Sequence, residues 1–203
     1  MRILLDDCET SLQANTVAGA LTVASDLVTR SGRMIVEVFV DGIAWSEEDL
    51  ASGEYTARAA GEVRMTTAHP AELLRDTFAH AAEAVLNAEE IQRAAAKLMQ
   101  ANQVRAGFDR LLEALAVWGS VQTAVARGLE LGVVTRDEVR AKGIDLEGAL
   151  ASLDRQLRSL RDSMVAQDAA AVSDCLLYEF PSTTKQFAAT LAALANEAAA
   201  KAA

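Results

Sequence analysis

The fold is decided by residues 69–100, which read HPAELLRDTFAHAAEAVLNAEEIQRAAAKLMQ. Apolar residues recur along this stretch at steps of three or four positions, from Leu74 to Leu98. Such steps place the apolar side chains on one face of an α-helix. Pro70 is a favoured residue at the first helical position, and His69 before it suits the N-cap. The stretch therefore predicts a long amphipathic helix that begins near residue 70.

The same helical spacing continues from Val104 to Leu129. The periodicity alone leaves two interpretations open: one continuous helix over 70–130, or two helices that turn near Asn102. A continuous helix of about 60 residues would extend ~90 Å at 1.5 Å per residue, so the length favours a turn. Asn87 is a second position at which the first helix could be interrupted.

Two further long helices are predicted after this pair. Thr135 and Glu138 fit a capping box for a short helix, and Asp145 caps a longer one with a narrow leucine seam. Pro181 is expected to kink or restart the last helix, which follows Asp168. The leucine seam consists of Leu146, Leu150, Leu153, Leu157, Leu160 and Met164. Four long helices with short connections indicate a mostly antiparallel, up-and-down bundle.

Residues 1–68 predict a small α/β layer. The sequence MIVEVFV at 34–40 is dense in β-branched residues and is expected to form the central strand. Asp41-Gly42 is a favoured two-residue hairpin turn. The predicted elements are a strand at 2–6, a helix at 12–30 that covers one sheet face, strands at 34–40 and 43–45, a short helix after Ser46 and a strand at 62–67. The fold class is therefore α+β, with a β-α-β-β-β layer over 1–68 followed by a bundle of about four helices over 69–203.

Composition and charge argue against several classes of function. The chain has 203 residues with 19 basic and 29 acidic side chains, and its net charge is −10. This charge argues against a nucleic-acid partner and against binding to an anionic membrane. The basic row of Arg155, Arg158 and Arg161 has acidic neighbours, which indicates a solvated, ion-paired helix face. No stretch approaches the about 18 apolar residues of a membrane span, and the acidic start is unlike a signal peptide, so we expect a cytoplasmic protein.

Residue types that carry catalysis are few and scattered. Cys8 and Cys175 are too few for a zinc site or a disulfide framework, and we expect neither a metal nor a cofactor. His80 is the strongest candidate for chemistry, because an exposed histidine on a helical bundle can carry a phosphoryl group. The residues after it, Ala81-Ala82-Glu83-Ala84, lack the lysine and glycine of a phosphorelay motif, and the acid would repel phosphate. A surface histidine is the simpler interpretation.

Two hypotheses about function belong to different classes. The first is a non-enzymatic interaction protein, an adaptor or chaperone-like bundle that binds another protein, such as an amphipathic helix, and that pairs with itself as a homodimer. Its predicted contact residues are Trp118, Gln122, Tyr178 and Phe180, which would line one groove if their helices are neighbours. The simpler interpretation of Trp118 is a core tryptophan beside a polar rim residue, and that of the kink before Pro181 is packing at the end of the bundle. In general shape, an acidic helical bundle with a kinked aromatic last helix resembles bacterial export chaperones and adaptor bundles. The alternative is a signalling or enzymatic domain that uses His80 or a pocket between the two parts of the chain.

Overall fold

A computed structural model describes residues 1–202, which divide into a unit of Met1–Leu73 and a second unit that begins at Leu74. The strands are β1 (Arg2–Leu5), β2 (Cys8–Glu9), β3 (Met34–Val40), β4 (Ile43–Ala44) and β5 (Glu62–Ala68). The helices are α1 (Val17–Arg30), α2 (Glu47–Ala51), α3 (Gly53–Thr56), α4 (Pro70–Gln100), α5 (Val104–Glu130), α6 (Arg136–Ala141), α7 (Leu146–Val165), α8 (Ala169–Asp174) and α9 (Phe180–Ala202), and a π-helical segment, Cys175–Glu179, joins α8 to α9. The predicted α+β class is confirmed, because a small mixed sheet precedes long helices that pack together.

The sheet of the N-terminal unit has the strand order β2-β1-β5-β3-β4. Its middle strand is β5, which pairs parallel to β1 and antiparallel to β3. The prediction of a strand at Met34–Val40 is confirmed, but its predicted central place is wrong, since β5 lies between β3 and β1. The parallel pair joins distant residues, such as Arg2 and Glu62, and periodicity along the chain cannot reveal such a pairing.

Residues close together in the sequence determine the hairpin turn and the start of the helix in this unit. Asp41 and Gly42 both have positive φ angles, 48° and 82°, as a two-residue hairpin turn of type I′ requires. Helix α1 begins at Val17, later than predicted, because the Thr16 side chain accepts a hydrogen bond from the Gly19 N–H at 3.1 Å and caps the helix there. The core between helix and sheet consists of Val17, Ala20 and Ala24 with Ile3, Val38, Val40, Val63 and Met65.

Helices α4 and α5 are two separate, antiparallel helices. The backbone turns at Asn102, which has a φ of 61°, and α4 runs unbroken up to this turn. Glycines allow the two helices to approach closely at both ends. A Cβ at Gly107 would meet Met99 at 2.5 Å, and a Cβ at Gly128 would meet Leu74 at 2.7 Å. The start of α5 therefore lies beside the end of α4, and the end of α5 beside its start.

The remaining helices complete the core of the C-terminal unit. The capping box of Thr135 and Glu138 is confirmed at the start of α6. In α7, Leu153 and Leu160 are buried, whereas Leu157, which was expected in the same core, is only partly buried. A step of four residues turns the helix about 40° past a full turn, so Leu157 lies to one side of the line from Leu153 to Leu160.

Candidate functional site

The four residues predicted to line a partner groove separate into two buried and two exposed side chains. Trp118 is 1% exposed and Phe180 is 0% exposed, and their ring centroids lie 6.1 Å apart. Trp118 also packs against Phe187, with centroids 5.7 Å apart, so these rings form the centre of the core. Gln122 is exposed, and Tyr178 is 74% exposed. Partner binding by Gln122 and Tyr178 stays a prediction.

A π-helical segment, Cys175–Glu179, lies directly before Phe180 and Pro181. Tyr178 and Phe180 are two positions apart, a spacing that places two side chains on opposite sides of a helix. Pro181 has no N–H, and in a regular α-helix its ring would clash with the carbonyl of Leu177. The chain widens instead, and the Phe180 N–H donates to the carbonyl of Cys175, five residues earlier. The interruption predicted at Pro181 is therefore a restart of the helix as α9, with Phe180 inside the core and Tyr178 outside it.

A shallow groove lies between α4 and α5 on the surface of the C-terminal unit. It has a volume of about 620 Å³ and is open to solvent. The lining residues are Thr77, His80, Ala81 and Ala84 from α4 and Ala116, Val117, Ser120, Val121 and Ala124 from α5. Most of them are small, so the side chains do not fill the space between the two helices. The result is a mainly apolar surface that contains His80, the residue of the alternative hypothesis.

His80 is the titratable residue among those that line the groove. Asp76 lies one turn earlier on α4, and the Arg75 guanidinium, which donates to it at 2.7 Å, lowers the pKa of its carboxyl, with a smaller contribution from His80. On the other wall, the Ser120 hydroxyl donates to the carbonyl of Ala116 at 3.1 Å. Within residues 1–202, no hydrogen bond joins His80 to Ser120 or to a carboxylate. The groove thus contains a histidine but no assembled acid–base pair.

Apart from His80, sequence reasoning missed this groove. Its signal is a recurrence of small residues at steps of three and four, with Ala81 and Ala84 on α4 and Ala116, Ser120 and Ala124 on α5. The same spacing is equally expected where two helices pack closely in a core. Only the packing of α4 against α5 shows which of these residues face solvent.

Other residues with chemical capability are not brought together. Burial raises the pKa of the Cys175 thiol to about 11, with a further contribution from Glu179, so the thiol stays protonated at neutral pH. Among residues 1–202, no three His, Cys, Asp or Glu side chains are grouped as a metal site requires. None of the helices described has the length and apolar character needed to cross a membrane.

The α4–α5 groove is an open, mainly apolar surface feature of the C-terminal unit. Comparison with protein-family models, with curated protein sequences and with solved structures gave no match.

Proposed function

We propose that the chain is a non-enzymatic interaction protein whose α4–α5 groove binds an amphipathic helix of another protein. The groove itself carries this proposal, because helices pack by inserting side-chain ridges of one into grooves of the other. Its lining extends from Thr77 to Ala84 on α4 and from Ala116 to Ala124 on α5. At 1.5 Å per residue these walls are ~11 Å long, so about two turns of a partner helix cover them.

The chemistry of the groove favours binding over catalysis. A catalytic pocket combines a histidine with carboxylates or a nucleophile in a site that excludes water. His80 instead stands on an open wall among alanines, and the Ser120 hydroxyl is bonded within its own helix. We therefore assign His80 to the contact surface. Cys8 and Cys175 are both free thiols, which supports the expectation of a cytoplasmic protein.

The test is a selection of helices from a displayed library of amphipathic peptides, made against the purified full chain. Two matched variants locate the binding site. Ala124→Arg places a charge on the groove wall, and Ala126→Arg places the same charge on an exposed position of α5 outside the lining. We expect the selected helices to bind Ala126→Arg like the wild type and to lose at least about tenfold in affinity for Ala124→Arg. Circular dichroism and the unfolding midpoint establish that both variants are folded.

Three results would contradict the proposal. The first is a selection that yields no helix whose binding depends on Ala124. The second is a dimer in sedimentation equilibrium at micromolar concentration that Ala124→Arg dissociates, because the groove would then hold a second copy, as in the predicted homodimer. The third is a substrate turnover that His80→Ala abolishes, which would establish the enzymatic alternative.

A further inference from the structure

Three acidic side chains follow one line along α4 beside the groove. Asp76, Glu83 and Glu90 are exposed and succeed one another at seven-residue intervals. Seven residues are close to two helical turns, so neighbouring carboxylates are ~10 Å apart on one side of the helix. Asp76 directly precedes Thr77, and Glu83 directly precedes Ala84, and both of these neighbours line the groove. Asp76 and Glu83 therefore border the α4 wall, and Glu90 continues the same acidic row ~9 Å beyond the end of the lining at Ala84.

The corresponding rim on α5 is uncharged along the groove. Gly119 directly precedes Ser120, and Thr123 directly precedes Ala124, so these two residues occupy the equivalent positions. The Thr123 hydroxyl donates to the Gly119 carbonyl at 3.0 Å and does not project a charge. The groove thus has one acidic rim and one neutral rim. One edge of a helix bound in the groove would face carboxylates, and its other edge would face uncharged residues.

Most of the charge of the acidic row is available to a partner. Arg75 donates to Asp76 at 2.7 Å and offsets part of the charge at that end. Glu83 and Glu90 form no ion pair with another side chain within residues 1–202. The net charge of −10 adds a field of the same sign, which attracts cationic partners from a distance.

On the basis of the function proposed above, we infer that the occupant is a helix with Lys or Arg at seven-residue intervals along one edge of its apolar face. The apolar side chains fill the groove between α4 and α5, and the basic edge lies against the acidic row. Complementary charge along one rim speeds encounter and fixes the direction and register of the bound helix. Asp76, Glu83 and Glu90 are then the residues that determine specificity.

A second copy of this chain does not offer such an edge. Its basic row of Arg155, Arg158 and Arg161 has three-residue intervals instead of seven. Two of these arginines are already paired, Arg158 with Asp154 and Arg161 with Asp162, each at 2.8 Å. The charge pattern therefore favours a different protein as the partner.

The helices selected from the peptide library test this inference directly. We expect Lys and Arg to be enriched at positions seven residues apart on one edge of the selected apolar face. The triple variant Asp76→Asn, Glu83→Gln, Glu90→Gln should raise the Kd of these helices about tenfold at low salt and should reduce the dependence of Kd on NaCl. The control triple variant Asp26→Asn, Glu37→Gln, Asp174→Asn removes the same charge from exposed positions outside the groove lining and should raise Kd far less.

The outcomes separate this inference from the proposed function. Helices that depend on Ala124 but lack the basic enrichment, and that bind the groove triple variant unchanged, would overturn the inference and leave the proposed function standing. Equal weakening by the two triple variants would also overturn it, because the general field of the protein would then account for the effect. If no selected helix depends on Ala124 for its binding, both the proposed function and this inference would be contradicted.

Discussion

At the scale of single residues, the centre of the bundle contains polar groups that oppose its packing. Gln92 is 0% exposed, and neither the nitrogen nor the oxygen of its side-chain amide has a hydrogen-bond partner. The indole nitrogen of Trp118 and the hydroxyl of Thr184 are buried without partners as well. A buried polar group left unsatisfied costs roughly 1–3 kcal/mol. These three side chains therefore lower the free energy of unfolding that the apolar core alone would give.

Replacing Gln92 by a side chain of similar shape and no hydrogen-bonding requirement is expected to stabilise the protein. We predict that Gln92→Met raises the free energy of unfolding of the helical unit that begins at Leu74, measured in urea, by roughly 1 kcal/mol, because the desolvation cost of the amide disappears. Gln100→Met, at an exposed position of the same helix, should change it by less than about 0.5 kcal/mol. A decrease for Gln92→Met would contradict the prediction.

Residue type alone did not reveal whether an aromatic side chain belongs to the core or to a surface. Trp118 and Phe180 suit a partner groove as well as a core, because large aromatic side chains are enriched in both environments. The structure places both inside. Tyr178 is two positions from Phe180 and lies outside, which follows from helix geometry once Phe180 is placed in the core.

At the scale of elements, the leucine seam of α7 offers a graded test of burial. Leu153 is 0% exposed, whereas Leu157 lies at the edge of the core. We predict that Leu153→Ala lowers the free energy of unfolding of the helical unit by about 2–5 kcal/mol. Leu157→Ala should lower it by clearly less, since less of the Leu157 surface is removed from water. Urea titrations of the two variants give the comparison. Equal losses, or a larger loss for Leu157→Ala, would contradict the placement of α7.

Lys201 connects α9 to the start of α6. Its Nζ atom donates to the Val133 carbonyl at 2.5 Å and to the Glu138 carboxylate at 2.7 Å. The hydrogen bond from Lys201, followed by those from Thr135, lowers the pKa of Glu138 from 4.5 to about 2. The folded-state pKa lies below the unfolded value. The stabilising contribution is therefore complete above about pH 4.5 and is lost as the pH falls toward 2.

Thermal unfolding between neutral and acid pH tests this connection. We expect the melting temperature of the wild type to fall between about pH 4.5 and pH 2 partly because Glu138 becomes protonated. Glu138→Gln has no carboxylate to protonate there, so its melting temperature should fall less over the same interval. Glu130→Gln, at an exposed acid that ends α5, should keep the slope of the wild type. The same slope for Glu138→Gln and the wild type would contradict the assignment.

Features that depend on residues close together in the sequence could be predicted. The order of the strands in the sheet, which depends on residues far apart in the sequence, could not. The apolar spacing of α4 and α5, the Asp41-Gly42 turn and the α6 capping box each lie within a few residues of chain. Strand β2 has only Cys8 and Glu9 and follows a turn through Asp6 and Asp7, so it has no pattern of its own. The middle position of β5 depends on β1, far away in sequence.

At the scale of the whole molecule, residues 1–202 contain two separate hydrophobic cores. The first belongs to Met1–Leu73 and includes Val38, Val63 and Met65. The second belongs to the unit that begins at Leu74 and surrounds Trp118. Units that bury their own apolar surface can unfold as separate cooperative transitions. A single free energy of unfolding would then not describe the full chain.

The two tryptophans of the chain report on these two units, since Trp45 packs against the first core and Trp118 lies in the second. We predict that urea unfolding followed through Trp118 in the variant Trp45→Phe, and through Trp45 in the variant Trp118→Phe, gives transitions that do not coincide. The transition of the larger helical unit should be the steeper one, because the dependence on urea grows with the surface exposed. Trp118→Phe leaves space in the second core, so it should lower the urea midpoint of the helical unit, which circular dichroism follows. The transition reported by Trp45 should stay where it is in the wild type. A shift of both transitions by the same amount would mean that the two cores unfold as one cooperative unit, and the division at Leu73 would then have no thermodynamic counterpart.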